Sequence, residues 1–274
     1  MRLLFGTGGV PLSTRSPTTE SGIERVAALG LDCMEVQFVR GVHMGEETAC
    51  RVAEVARRSG VRLSAHAPYF INLNSHDEEK LQASKARLVQ TARIASLCGA
   101  DAVVFHPAYY LDDSPSAVYR NVKNALKETV GQLRDEGIHI VLRPETTGKP
   151  SNFGTLEETL ALCAEMDGLA PCIDFAHLHA REGAVNTYDE FAAVLQQVES
   201  ALGKQSLGDM HVHVAGVQYG ERGEIRHLDL ANSDLCYSEL VAAFSDAGVG
   251  GRVICESPCL EEDALLLQST YRSL

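Results

Sequence analysis

Residues 101–106 read Asp-Ala-Val-Val-Phe-His, a short apolar run that begins at a carboxylate and ends at a histidine. Residues 61–66 read Val-Arg-Leu-Ser-Ala-His and end in the same way. Short runs of this kind, bounded by Gly, Asp or Pro, are typical of β-strands that are buried on both faces. The chain contains eight such runs: Arg2–Gly6, Asp32–Phe38, Val61–His66, Asp101–His106, His139–Arg143, Pro171–Asp174, Asp209–Val214 and Gly251–Glu256.

Stretches with helical periodicity alternate with these strands. They are Thr18–Leu29, Ala49–Arg58, Glu78–Leu97, Ala117–Leu133, Thr155–Met166, Tyr188–Leu202, Tyr237–Ala247 and Glu261–Tyr271. The strand ends recur about every 30 to 40 residues, which is the length of one βα unit. Eight such units in 274 residues predict an α/β fold, a single (β/α)8 TIM barrel over residues 1–274, because such barrels take roughly 250 residues. A doubly wound open sheet is the competing topology.

The composition is that of an ordinary soluble protein, with 45% hydrophobic and 22% charged residues. No apolar run reaches the length of a membrane span and no export signal is visible, so we expect a cytoplasmic protein without a membrane partner. We also expect a monomer. The net charge of −13 counts against a nucleic-acid partner unless bound cations and a local basic rim offset it.

Side chains that bind metals stand at the ends of six successive predicted strands. They are His66, His106, Glu145, Asp174 with His177 three residues on, His213 and Glu256. The carboxyl ends of the strands of a barrel meet at one rim, where the active sites of this fold lie. Neighbouring buried carboxylates are costly unless a cation compensates them. The sequence therefore predicts a divalent-metal site at the C-terminal rim, and its mixture of imidazole and carboxylate suits zinc, manganese or iron.

Five segments near these strand ends resemble the endonuclease IV family in their order and spacing. They are Ser64-Ala-His-Ala-Pro-Tyr-Phe-Ile-Asn-Leu73, Val104-Phe-His-Pro107, Leu142-Arg-Pro-Glu-Thr-Thr-Gly148, Cys172-Ile-Asp-Phe-Ala-His177 and Ile254-Cys-Glu-Ser-Pro258. The family consists of apurinic/apyrimidinic endonucleases of the xylose isomerase-like barrel superfamily, and the resemblance spans His66 to Glu256. The patterns His211-x-His213-x-Ala-Gly and Gly223-Glu-x-x-His227 are similar to an archaeal-type branch of it.

The resemblance implies a cluster of two to three zinc ions, with Mn²⁺ as the alternative metal. It assigns the ligands of the first ion as His66, His106 and Glu145, of the second as Glu145, Asp174, His213 and Glu256, and of the third as His177 and His227. Glu145 would bridge two ions and is the candidate catalytic residue. Tyr69 occupies the position of a residue that enters the DNA in that family.

Two features depart from the family pattern. The late Asp-x-His pair of the third site is absent, and Glu224-Ile-Arg-His227 is the nearest substitute, so Glu224 is the candidate carboxylate there. The Asn-Asp that usually follows the strand-seven histidine is also missing, and Ala215-Gly216 stands in its place. The seventh strand carries both His211 and His213, which point the same way because strand side chains alternate. Spacing along the chain suits either histidine, and nearness to the rim favours His213. Glu35, near the end of the second strand, is a candidate acid behind the ligands.

These observations leave three functions open. The first is hydrolysis of DNA 5′ to abasic sites by metal-activated water, with damaged DNA as the partner. The alternative is a divalent-metal isomerase or epimerase of the same superfamily, with a small sugar as the partner. The third is a metal-stabilised barrel that only binds. Arg143, two residues before Glu145, could orient a phosphate or pair with a neighbouring carboxylate.

Overall fold

The computed structural model describes residues 2–274. Within them the chain forms twelve strands: β1 (Leu3–Gly8), β2 (Cys33–Gln37), β3 (Arg62–His66), β4 (Ala102–Phe105), β5 (Ala108–Tyr109), β6 (Val141–Pro144), β7 (Asn152–Phe153), β8 (Cys172–Asp174), β9 (Met210–Val214), β10 (Gly216–Gly220), β11 (Gly223–Leu228) and β12 (Gly251–Cys255). Eight of them form a parallel sheet in the order β6-β4-β3-β2-β1-β12-β9-β8. Bridges from Leu142 to Leu169 and from Glu145 to Cys172 join its two edges. The predicted barrel is therefore confirmed, and the open-sheet alternative is wrong.

Nine α-helices accompany the strands in the described residues: α1 (Thr19–Ala28), α2 (Glu46–Ser59), α3 (Glu78–Leu97), α4 (Pro115–Asp135), α5 (Leu156–Glu165), α6 (Phe175–Glu182), α7 (Tyr188–Leu202), α8 (Tyr237–Asp246) and α9 (Glu261–Arg272). At the start of α5 the Thr155 hydroxyl accepts from the Glu158 backbone N–H, while the Glu158 carboxylate accepts from the Thr155 N–H. Helix α2 begins three residues before the predicted Ala49, because Glu46 and Glu47 suit the positive end of the helix dipole.

Two elements at the C-terminal rim, helix α6 and the β10–β11 hairpin, were not predicted from the sequence. Helix α6 follows β8 without a loop, and the Asp174 side chain caps it by accepting from the His177 N–H at 2.7 Å. Most of this eight-residue helix is buried, so it lacks the polar face that reveals a helix in a sequence. Strands β10 and β11 form an antiparallel hairpin between β9 and α8. Both elements bring predicted site residues to the rim.

The opposite end of the barrel is closed by a charged layer. Arg252, on β12, reaches across the interior to the Leu63 carbonyl and to Asp101, 2.6 Å away. The Arg143 guanidinium lies 2.7 Å from an Asp209 carboxylate oxygen. The sequence left open whether Arg143 orients a phosphate or pairs with a carboxylate. The geometry supports the pairing, because the Arg143 side chain points away from the C-terminal rim.

The apolar core lies between the strands and the surrounding helices. It includes Val26 of α1, Val52 of α2, Leu88 of α3 and Val122 of α4, each fully buried. No helix in residues 2–274 is long and apolar enough to cross a membrane. Polar and charged side chains meet inside the barrel at the C-terminal ends of its strands.

Candidate metal centre

Glu145, which follows β6, is the carboxylate around which predicted side chains gather. Its side chain is 0% exposed. Oε2 lies 3.1 Å from His66 Nε2 and 2.9 Å from His106 Nε2. Oε1 lies 3.2 Å from His213 Nδ1 and 3.3 Å from His177 Nδ1. Burial raises the pKa of Glu145, but the imidazoles, those of His106 and His213 foremost, hold it well below its usual range. The carboxylate is therefore ionised, and each of its oxygens faces two rings.

His66, His106 and Glu145 form the first donor group. His66 is the last residue of β3, His106 follows β4 and Glu145 follows β6, so three adjacent strands deliver them. Their candidate ligand atoms all lie within 4.8 Å of one another. These are two imidazoles and one carboxylate, a set that zinc accepts in proteins.

Glu145, Asp174, His213 and Glu256 form the second donor group, whose candidate ligand atoms also lie within 4.8 Å of one another. They come from the ends of β6, β8, β9 and β12. Asp174 Oδ2 is buried and has no hydrogen-bond partner among the described residues. Burial raises the pKa of Asp174, the Glu145 carboxylate adds to the rise, and the imidazoles of His177, His227 and His213 offset it only in part. Asp174 thus offers a buried carboxylate oxygen without a hydrogen-bond partner, beside three other candidate ligands. A divalent cation bound among the four side chains would compensate it.

Asp174, His177 and His227 form the third donor group, again with candidate ligand atoms within 4.8 Å of one another. His177 Nδ1 donates to the Thr146 carbonyl at 2.9 Å, so Nε2 is the nitrogen through which this ring could bind a cation. Glu224 Oε2 lies 3.4 Å from that Nε2, and Glu224 Oε1 lies 3.8 Å from His227 Nε2. Helix α6 and the β10–β11 hairpin therefore bring Glu224 beside the third donor group, although no barrel strand carries it.

Backbone carbonyls also fix the ring nitrogens of two other histidines. His66 Nδ1 lies 2.7 Å from the Ala67 carbonyl oxygen, and His227 Nδ1 lies 3.2 Å from the carbonyl oxygen of Glu256. A carbonyl oxygen only accepts, so Nδ1 carries a proton, and Nε2 is the nitrogen through which each ring could bind a cation. His227 Nε2 is buried and has no hydrogen-bond partner among residues 2–274. This tautomer is the one that metal-ligating histidines adopt.

The two histidines of β9 stand at different heights in the barrel. His213 Nδ1 faces the second donor group, at 3.4 Å from Glu256 Oε2. His211 lies one pleat deeper, where its Nε2 is 3.0 Å from Glu35 Oε2. Two residues along a strand separate side chains by about 7 Å, so only one of the pair can reach the rim. The geometry thus supports His213 as the candidate ligand.

Tyr69 lies at the mouth of the site. Its side chain is 50% exposed, and its ring centroid is 5.4 Å from that of His66 and 5.7 Å from that of His106. Phe70, in the loop after β3, and Tyr109, on β5, are also exposed, at 49% and 40%. Exposed aromatic rings beside a cluster of candidate ligands form a surface on which a planar group could stack.

Gly148 lies in a tight contact that the sequence did not reveal, because its role depends on a hairpin far along the chain. A Cβ at this position would lie 2.8 Å from Glu224 Cβ and 3.0 Å from His177 Cδ2. Gly148→Ala is therefore expected to push the hairpin away and to remove one bound ion, measured by elemental analysis. Gly131→Ala is the control, because a Cβ there would meet no atom of residues 2–274 within 4 Å outside the adjoining backbone of its own helix. Equal metal content in both variants would contradict this account of Gly148.

Known proteins resemble this chain over most of its length. An uncharacterized protein of Methanocaldococcus jannaschii is 42% identical over 273 residues, 99% of this chain and 98% of that protein. A probable endonuclease 4 of Chlorobium luteolum is 25% identical over 209 residues, 74% of this chain and 70% of that protein.

Two solved structures share the fold to the same degree. Endonuclease IV from Thermus thermophilus has a TM-score of 0.76 at 22% identity and covers 98% of both chains. A D-tagatose 3-epimerase-like protein has a TM-score of 0.76 at 21% identity, covering 99% of this chain and 96% of its own. The family model of the xylose isomerase-like TIM barrel matches residues 23–271. With its eight-stranded barrel and this match, the chain belongs to the xylose isomerase-like TIM-barrel family.

Proposed function

We propose that the protein is a zinc-dependent phosphodiesterase that hydrolyses DNA 5′ to abasic sites. The observation that carries this proposal is the overlap of three donor groups. Glu145 belongs to the first and second groups, and Asp174 belongs to the second and third. A carboxylate shared between neighbouring groups suits ions a few ångströms apart, the arrangement that stabilises both the attacking and the leaving oxygen of a phosphodiester.

In this proposal, different residues of the site have different roles. Bound divalent ions would lower the pKa of a water molecule and neutralise charge on the phosphate. Glu145 and Asp174 would fix the spacing of the ions, because each offers oxygens to two donor groups. His66 and His227 would keep their Nε2 lone pairs turned inward through their bonds to backbone carbonyls. No side-chain nucleophile is required.

The rim offers contacts that suit a distorted nucleic acid. Tyr69, Phe70 and Tyr109 are the exposed rings, and base–aromatic stacking stabilises binding by about 1–3 kcal/mol per base. Lys149 and Arg226 are exposed on the loop after β6 and on β11. They would form the local basic rim that a chain of net charge −13 needs for DNA. The relation to endonuclease 4 proteins supports abasic DNA as the substrate.

The proposal is tested by measuring metal content and strand incision on the same preparation. Two to three zinc or manganese ions per chain are expected, together with incision of a duplex at the 5′ side of a single abasic site. An otherwise identical undamaged duplex serves as the control and should stay intact. One ion per chain without incision would overturn the proposal.

Sugar isomerisation or epimerisation is the second candidate. The second donor group by itself could hold one ion, which suffices to polarise a carbonyl or hydroxyl while a carboxylate such as Glu256 moves a proton. The observation that favours it is the net charge of −13, which opposes binding to DNA. Turnover of a ketohexose by protein holding one ion would establish this activity. Inertness towards sugar and DNA with all ions bound would leave a barrel that only binds.

A further inference from the structure

Glu35 is a buried carboxylate that belongs to none of the three donor groups. It lies on β2 and its side chain is 0% exposed. Its Oε2 accepts from the Ser64 hydroxyl at 2.9 Å and lies 3.0 Å from His211 Nε2. Its Oε1 lies 3.2 Å from His213 Nε2, off the line of a good hydrogen bond. An isolated carboxylate at this depth is strongly unfavourable, so its neighbours must compensate it.

His211 fixes Glu35 from below. An ionised carboxylate only accepts hydrogen bonds, so the proton of His211 lies on the Nε2 that faces Glu35. The ring is fully buried above the charged layer that Arg143 and Arg252 form with their aspartates. His211 Nδ1 has no hydrogen-bond partner among residues 2–274, so the contact of Nε2 with Glu35 is the one that orients the ring. Glu35 is thereby fixed in turn.

His213 presents its two ring nitrogens to opposite sides. Nδ1 lies 3.2 Å from Glu145 Oε1 and 3.4 Å from Glu256 Oε2, within the second donor group. Nε2 faces Glu35. A cation bound in the second donor group would take the lone pair of Nδ1, which would leave the ring proton on Nε2, the nitrogen that faces Glu35. Metal-ligating histidines commonly use the ring nitrogen away from the metal in this way, and such partners orient the ring and raise its basicity.

We propose that Glu35, fixed by His211, is a positioning residue of the metal centre that holds His213 with Nδ1 directed at the second donor group. The inference rests on the proposed metal centre but not on the identity of the substrate. Glu35 would act only through His213, since the donor groups do not include it. The sequence separation of 176 residues between Glu35 and His211 explains why spacing along the chain does not reveal the pair.

The test is a cobalt titration of the metal-free protein, followed by calorimetry and visible absorption. Glu35→Gln keeps the size of the side chain but loses its charge. We expect one Co²⁺ ion to bind about 10–100-fold more weakly, the usual effect of losing such a partner, and its absorption bands to shift. The remaining ions should bind as in the wild type. Glu261→Gln is the matched control, because Glu261 is also buried but, within residues 2–274, accepts only from the Leu12 and Ser13 backbone N–H groups.

A second pair of variants keeps the test decisive if Glu35→Gln does not fold. His211→Gln retains an N–H donor towards Glu35 and should therefore bind cobalt nearly as tightly as the wild type. His211→Leu lacks that donor and should bind one cobalt ion more weakly. Unchanged affinity and absorption in Glu35→Gln would overturn the inference. So would a loss of thermal stability alone, since a purely structural role predicts that result. Wild-type protein that binds cobalt but cuts no abasic DNA would remove the proposed nuclease and leave this inference standing.

Discussion

Glu145→Gln is expected to lower the rate of the catalysed reaction by at least about a hundredfold, the lower range for removing one preorganised charged group from an active site. Gln has the same shape but lacks the charge that faces four histidines and is shared by two donor groups. Two ions would lose a ligand at once. The measurement is turnover on abasic DNA together with metal content by elemental analysis.

Glu47→Gln provides the control for this variant. The Glu47 side chain is 93% exposed on α2, so the same chemical change there should alter neither turnover nor metal content. Retention of both activity and metal in Glu145→Gln would contradict the proposed site. Loss of metal without loss of the folded state, followed by circular dichroism, would support it.

Removal of the metal ions is expected to give the second largest effect, on thermal stability. A ligand present at a thousandfold excess over its dissociation constant stabilises the folded protein by about 4 kcal/mol. For a chain of this size about 1 kcal/mol shifts the melting temperature by roughly 2–4 °C, so each ion should contribute about 10 °C. The experiment compares zinc-loaded protein with chelator-treated protein by differential scanning calorimetry. Equal melting temperatures would contradict a metal centre at the rim.

The same comparison should depend on pH in a defined direction. Burial lowers the pKa of His66, but the Glu145 carboxylate outweighs it and raises the pKa to about 9. Since this value lies above that of an unfolded histidine, protonated His66 stabilises the metal-free protein fully below about pH 6.5. That contribution is lost as the pH rises to about 9. Metal ions bind neutral imidazole, so the stability gained from zinc should increase over the same interval.

The barrel and most candidate ligands could be predicted from the sequence because they depend on local rules. A buried strand shows as an apolar run, and a residue at its carboxyl end must lie at the rim. His66, Asp174 and Glu256 satisfy both conditions, and the donor groups contain all three. The observed strand bounds differ from the predicted ones by at most two residues.

The remaining features depend on distance through space rather than along the chain. His211 and His213 share a face of β9, and only the depth of the barrel separates their surroundings. Glu224 meets His177 because a hairpin folds back over a helix that is too uniformly buried to show periodicity. Gly148 matters only because Glu224 packs against it. Contacts between segments that lie far apart in the sequence can be recognised only when the fold is known.

The β10–β11 hairpin is a part of the candidate site that can change in evolution while the barrel strands stay the same. The first and second donor groups stand at strand ends, where a deletion would disrupt the scaffold, but Glu224 and His227 sit on an excursion between β9 and α8. Loops at this rim can be lengthened, shortened or exchanged without altering the strands beneath them. A lineage could therefore gain or lose a third cation through one insertion. The proposed third ion would then be the part of the site most easily gained or lost while the barrel itself stays the same.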